Sequence, residues 1–452
     1  MKKYMKINYI LAFIALGLFS CDDNLNVEPE QNLSPEVATE TPANVKNILN
    51  SIYGTARSGD SYGGGIGLAS ELIGNEGDLS WNGTFVGPSE YNEKAMVADN
   101  GFVTDAWLNA YDMNNQANIV LANLEVFTDE DDKASAEGEA KFLRALAYFD
   151  LGRLFSKPYT PGEPNTQPGV PIILEPVLDP NAVTYPARNT LDEVYAQVIN
   201  DLSDAYNLLP PSNIYFANKY SAQALLARVY LQMGEYESAR DAANDVILNS
   251  GAELTSTFAE AFNNAENSDE DLFAIQVTSQ DAYEHSWNVY WAGSEFGGRI
   301  GNPDVSVEEP HYEKYDDPED DRANFFYTTT RGVATTKWQN QFGNIPVLRL
   351  AEMYLIRAEA NERLDTEEGA TPLDDINELR ERANASTYDS VDLDLILAER
   401  QRELAFEGFA LFEAKRLGWS INDIPYDANQ LVLPIPLREI DANPELEQNA
   451  GY

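Results

Sequence analysis

Residues 220–249 read YSAQALLARVYLQMGEYESARDAANDVILN, and this stretch decides the fold class. Leu226, Ala227 and Tyr230 precede Gly234, and Tyr236, Ala239 and Ala243 follow it. Small residues where two helices cross closely, a glycine at the turn and an aromatic just after it form the tetratricopeptide pattern. Related helix pairs recur at 346–383 and 392–418. Towards the N-terminus, Trp107, Tyr111, Asn118, Val120 and Leu124 mark a long helix over 105–127. In 137–155, Phe142, Ala145, Leu146 and Phe149 recur at helical spacing, which predicts a second one. Thr190 and Glu193 offer a capping box opening a helix to about Leu209. The fold class is therefore all-α: a tetratricopeptide-like helical repeat scaffold, with repeats at about 105–155, 190–249 and 346–418.

Three stretches break the helical period. Residues 156–190 carry eight prolines around Val170-Pro171-Ile172-Ile173-Leu174. Helices cannot run through that density, and the apolar run predicts an ordered, extended loop rather than a linker. Residues 54–100 and 251–345 mix glycines, aromatics and acids, with a strand predicted at Leu272–Val277. They read as loop-rich insertions on a rigid frame, where binding sites usually lie.

Composition excludes several functions. The 452 residues hold 75 acidic and 30 basic side chains, a formal net charge of −45. That charge repels phosphate backbones and argues against nucleic-acid binding. One cysteine forbids an internal disulfide or a cysteine-rich metal centre, and His285 and His311 are the only histidines. No metal site or cofactor is expected. Asp316-Asp317-Pro318-Glu319-Asp320-Asp321 would offer hard oxygens to calcium, but it lacks EF-hand spacing and reads as a solvated loop. Tyr62-Gly63-Gly64-Gly65-Ile66-Gly67 lacks the Lys-Ser/Thr of a phosphate loop and reads as a flexible turn.

The basic start (Lys2, Lys3, Lys6), the apolar run Tyr9–Phe19 and Leu18-Phe19-Ser20-Cys21 fit an export signal ending in a bacterial lipobox. The apolar run is too short to span a bilayer, which takes about 20 residues. On this reading residues 1–20 are removed, Cys21 is lipidated, 21–35 form a tether, and 36–452 form a single domain. An acylated Cys21 anchors the chain to a membrane through its buried methylenes.

In order along the chain, several blocks resemble the SusD/RagB family of outer-membrane lipoproteins of Bacteroidetes. They are the lipobox, Ala140-Lys141-Phe142-Leu143-Arg144-Ala145, the repeat at 220–249, Arg349–Ala360, Glu399-Arg400 with Glu403-Leu404, and Leu433-Pro434-Ile435-Pro436. The resemblance covers essentially the whole chain. It implies a cell-surface lipoprotein, not an enzyme, that captures a glycan and delivers it to a SusC-like TonB-dependent transporter. RagB-like relatives capture peptides, which is the alternative; a surface glycoside hydrolase is a further one. Arg349, Glu352, Arg357 and Glu359 read as buried ion pairs of the scaffold rather than catalytic groups.

Glycans present apolar C–H faces ringed by hydroxyls, so their sites combine aromatic platforms with planar polar groups. Trp107 and Trp419 fall in or beside helix patterns and read as core. Trp81, Trp287, Trp291 and Trp338 fall in the insertions, where exposure is expected. The segment 283–299 gathers Tyr283, Trp287, Tyr290, Trp291, Phe296 and Arg299 and is the first candidate. Asp78 with Trp81 is the second, and Trp338 the third. The charge predicts a neutral glycan, since a polyanion would be repelled unless local arginines or lysines overrode it.

Overall fold

A computed structural model describes residues 35–179, 183–280, 285–301, 303–315 and 317–452. The expectations for the export signal, the Cys21 anchor, the tether, Tyr283 and Asp316 lie outside the described residues. The longer helices are α1 (Pro42–Arg57), α2 (Gly65–Gly74), α3 (Val86–Glu93), α4 (Gly101–Ala122), α5 (Glu130–Phe155), α6 (Leu191–Leu208), α7 (Lys219–Met233) and α8 (Tyr236–Asn249). After a long loop-rich segment containing the six-residue α9 (Ser286–Trp291), the array resumes as α10 (Leu350–Leu364), α11 (Pro372–Arg382), α12 (Leu393–Glu403) and α13 (Ala410–Leu417).

The helices begin and end where local chemistry dictates. Asn100 accepts from the Phe102 and Val103 N–H groups to start α4, and Thr190 and Glu193 form the expected capping box of α6. Gly234 closes α7 at φ +74, a left-handed turn that glycine adopts without strain. A Cβ there would also stand 2.8 Å from Pro161. Successive helices then pack on one another: α1 on α4, α4 on α5, α5 on α6, α6 on α7, and α7 on α8. α8 passes the stack to α10, bridging the insertion between them, and α10 carries α11 and α12. The tetratricopeptide-like all-α scaffold is thus present.

One helix pair starts later than expected. Residues Ile345–Arg349 form β6, paired antiparallel with β2 (Asp271–Ile275). Ile345 and Val347 are β-branched and Pro346 cannot donate within a helix, so the segment is extended until Arg349 turns into α10. The proline-rich loop is ordered by the helices beneath it. Asn118 Nδ2 and Tyr148 Oη both donate to the Ile173 carbonyl, at 2.8 and 3.0 Å, and Tyr111 Oη donates to Pro171 at 2.8 Å. Among the described residues no helix is long and apolar enough to cross a membrane.

The charged residues of the helix repeats are buried pairs, as expected. Glu352 meets Arg228 at 2.6 Å, Arg357 meets Asp375 at 2.5 Å and Glu359 meets Arg416 at 2.6 Å. Arg349 joins Glu270, Glu403 and Glu407 within 3.1 Å. The acidic run near 316 is less solvated than its composition suggests. Asp320 is buried against Arg322 at 2.8 Å, and Asp317 accepts from the Ser386 and Glu319 N–H groups.

The glycine run at 63–67 is a close-packed support, which corrects the expectation of a flexible turn. A Cβ on Gly63 would stand 2.3 Å from the Arg57 carbonyl, and one on Gly64 2.5 Å from the Trp287 nitrogen. A Cβ on Gly67 would lie 2.0 Å from the Trp287 ring. These glycines are required because backbone and indole occupy the space a side chain would need.

Candidate functional site

The two insertions meet in one four-stranded sheet. β1 (Leu79–Trp81) pairs with β3 (Val305–Val307), which pairs with β5 (Val333–Thr335), and β4 (Phe326–Thr328) closes the other side of β5. Asn75 sets up β1: its Oδ1 accepts from the Gly77 and Leu79 N–H groups, and its Nδ2 donates to the Leu79 carbonyl. Register Trp81↔Val305 brings Trp81 beside the loop that follows α9. The Asp304 N–H donates to the Tyr290 carbonyl at 2.8 Å, tying that loop to α9.

An aromatic patch results. Trp81 meets Tyr290 edge-on at 5.8 Å, and Phe85 meets Tyr290 at 6.1 Å with an 88° interplanar angle. Phe102 of α4 completes the group, 5.8 Å from Phe85 and 6.4 Å from Tyr290. The Arg299 guanidinium lies 4.4 Å from the centroid of Phe85, a cation–π contact, and its Nη1 donates to Asp304 at 2.8 Å. Burial pushes the Asp304 carboxyl up, while Arg299 pulls it back. Beside Trp81, Asn82 Nδ2 donates to Ser306 Oγ at 2.9 Å. Phe85 is 41% and Phe296 40% exposed; Val86 and Ile300 nearby in sequence are more so. Phe296 leans edge-on against Tyr327 at 5.1 Å. Apolar side chains concentrated in this way on a surface make it a candidate binding face.

The sequence-derived candidates separate into three groups. Trp81, Tyr290, Phe296 and Arg299 belong to this patch or its loop. Trp287, Trp291 and Trp338 do not stand out as platforms. They are 5%, 1% and 4% exposed, which corrects the expectation of exposure. Trp287 stacks on Trp338 at 4.5 Å and 16°, and Trp291 packs against Phe406. Trp338 Nε1 donates to the Phe406 carbonyl at 3.0 Å. Their loop needs a core of its own, and the indoles supply it. Asp78 is held elsewhere, by Lys314 at 2.7 Å. Burial opposes its charge, but His311 and Lys314 together hold its carboxyl below the usual range. His285 is structural as well: its Nδ1 caps α9 by accepting from the Asn288 N–H, and burial lowers its pKa to about 4.

Phe85 and Phe102 were not foreseen. The signal for Phe85 was available in Asn82-Gly83-Thr84-Phe85-Val86-Gly87-Pro88, where a Phe-Val pair sits between turn residues with no helical or strand face to bury it. Phe102 carried none, because its helical spacing looks like that of any core residue.

Residues 23–231 match the family described as "Starch-binding associating with outer membrane", and residues 217–422 match the "SusD family". SusD-like protein P2 of Formosa agariphila is 27% identical over the full length of both chains. Starch-binding protein SusD of Bacteroides thetaiotaomicron is 32% identical, over 27% of this chain and 26% of that one. A SusD superfamily protein of known structure, also from Bacteroides thetaiotaomicron, superposes with a TM-score of 0.81 at 27% identity, covering 90% of this chain and 99% of the other. Two adjoining family matches, full-length relatives and a superposable fold agree, and the chain belongs to the SusD family.

Proposed function

We propose that the patch of Trp81, Phe85, Phe102, Tyr290 and Arg299 captures a neutral oligo- or polysaccharide at the cell surface. The protein then passes the glycan to a SusC-like TonB-dependent transporter, held beside it on the outer membrane by a lipid on Cys21. The observation that carries this reading is the packing of Trp81 and the exposed Phe85 of one insertion against Arg299 and Tyr290 of the other, with Tyr290, 8% exposed, as the floor. Sugar rings lay apolar C–H faces on such surfaces, while Arg299 and Asn82 offer donors to hydroxyls. The names of the relatives, starch-binding among them, support the same ligand class. Asp304 balances the charge of Arg299, which weakens the patch's pull on a polyanion. Screening over about 8 Å leaves the remote acids little influence, so the local pair decides the preference.

The role is binding without turnover. Glycoside hydrolysis needs two carboxyls flanking the bond at about 5–10 Å, whereas Asp304, beside the patch, is engaged by Arg299. The test is affinity electrophoresis against neutral and anionic polysaccharides, with product analysis of the same mixtures. Retardation by a neutral polymer, lost in Phe85→Ala and Trp81→Ala, is expected. Retardation by anionic polymers alone, binding of peptides alone, or release of shorter sugars would overturn the reading.

A further inference from the structure

A second cavity, of about 260 Å³, opens between the end of α2, the start of β1, α12 and α13. Arg400 lines it, 3% exposed on its side chain, and among the described residues its Nη1 has no hydrogen-bond partner. Its Nη2 reaches Glu352 at 3.4 Å, and its Nε pairs with Glu413 at 3.1 Å. His311 lines the same space fully buried, with its Nδ1 facing Asp78 at 3.9 Å. A buried polar group left without a partner is costly and uncommon, so Arg400 Nη1 calls for an occupant of the cavity.

Aromatic rings complete the cavity. Phe406, Phe409 and Trp419 line it. Phe406 holds φ +63, a left-handed conformation that a bulky residue adopts only under constraint, and such strain gathers at functional sites. Trp419, read from sequence as core, is only half-buried. Glu71 contributes an acceptor: its Oε1 takes the Gly408 and Phe409 N–H groups at 2.7 and 2.9 Å, and burial raises its carboxyl to about 7.

We infer that this cavity is a binding site for a single neutral sugar ring, separate from the surface patch. Arg400 Nη1 requires a ligand that accepts from it, as a sugar hydroxyl does. The ring's C–H face has Phe409 and Trp419 to lie on. An anion is disfavoured because Glu76, Asp78 and Glu413 outnumber Lys314 and Arg400 around the space. A simple cation would leave Arg400 without an acceptor. The volume lies just below the roughly 300 Å³ at which pockets for larger ligands begin, which suits one ring rather than a chain.

The test is saturation-transfer NMR and calorimetry of the intact protein with glucose, galactose, mannose, xylose and arabinose, with glucuronate and glycine as charged comparisons. At least one neutral monosaccharide is expected to bind. Gln401→Trp, at the exposed mouth of the cavity, and Trp419→Ala should each weaken it about tenfold or more, by about 1.4 kcal/mol. Arg400→Gln should do the same, and the mouth variant covers the case in which that buried change prevents folding. Phe85→Ala should leave monosaccharide binding unchanged while abolishing polysaccharide retardation, so the two sites fail independently. No binding by any neutral sugar, binding by glucuronate or glycine alone, or loss in Phe85→Ala with none in Gln401→Trp would overturn the inference.

Discussion

Truncating Trp287 to alanine distinguishes a loop core from a ligand platform. The indole is 5% exposed, stacks on Trp338 at 4.5 Å and lies over Gly67 so closely that a Cβ there would come within 2.0 Å. Removing a buried Trp typically costs about 3–5 kcal/mol, the lost transfer energy plus the cavity left behind. Gly67 cannot fill the space, since it has no side chain, and Trp338 would lose its stacking partner, so the upper half of the range is expected. At about 2.1 cal/mol/K of unfolding entropy per residue, 452 residues give about 0.95 kcal/mol/K if unfolding is one transition. The midpoint should therefore fall by about 4–5 °C in differential scanning calorimetry. Phe85→Ala, at an exposed ring, should shift it by less than about 1 °C, since surface changes stay within about 0.5 kcal/mol. A Trp287→Ala protein with an unchanged midpoint and abolished glycan retardation would refute the assignment of Trp287 to the core.

Three other outcomes follow from the geometry. Gly67→Ala should destabilise the fold by about 1–3 kcal/mol or more through overpacking against Trp287 and so lower the midpoint, and an unshifted midpoint would show that the ring has room to move. Glu403→Gln should cost about 3–5 kcal/mol in urea unfolding, because Glu403 balances Arg322, Arg349 and Arg382 in the interior. Glu139 is raised from 4.5 to about 7, mainly by burial, with Tyr53 and Asn213 donating to it. Between those values the folded state binds the extra proton, so stability falls as pH rises from about 4.5 through 7. Glu139→Gln removes that slope, and the stability difference, variant minus wild type, should increase by up to about 3 kcal/mol between pH 5 and pH 8. A difference independent of pH would contradict the raised carboxyl.

Much of the scaffold was legible because it is local. Capping by Thr190 and Glu193, the turn at Gly234 and the apolar spacing of α5 each involve residues a few positions apart, and each acts through backbone chemistry written in that neighbourhood. The ion pairs of Arg349, Glu352, Arg357 and Glu359 were foreseen for a similar reason: charges at core-facing helical positions must find partners. The candidate site was legible only in part. Trp81, Tyr290 and Arg299 were singled out, yet the same reasoning chose Trp287, Trp291 and Trp338, since a tryptophan in a glycine-rich loop looks alike whether it faces water or fills the loop.

By itself, the sequence determined the helical array, its turns and the existence of two irregular insertions, because helix period, capping and glycine turns are short-range. Only the tertiary structure decided which aromatics are exposed. That depends on the pairing of β1 with β3 across more than two hundred residues and on the glycines at 63–67, which open a slot for one indole. It also decided that Arg400 and His311 share a cavity with Trp419, three residues that no spacing rule connects. Burial belongs to the neighbours a side chain acquires on folding, and residues distant in sequence supply most of them.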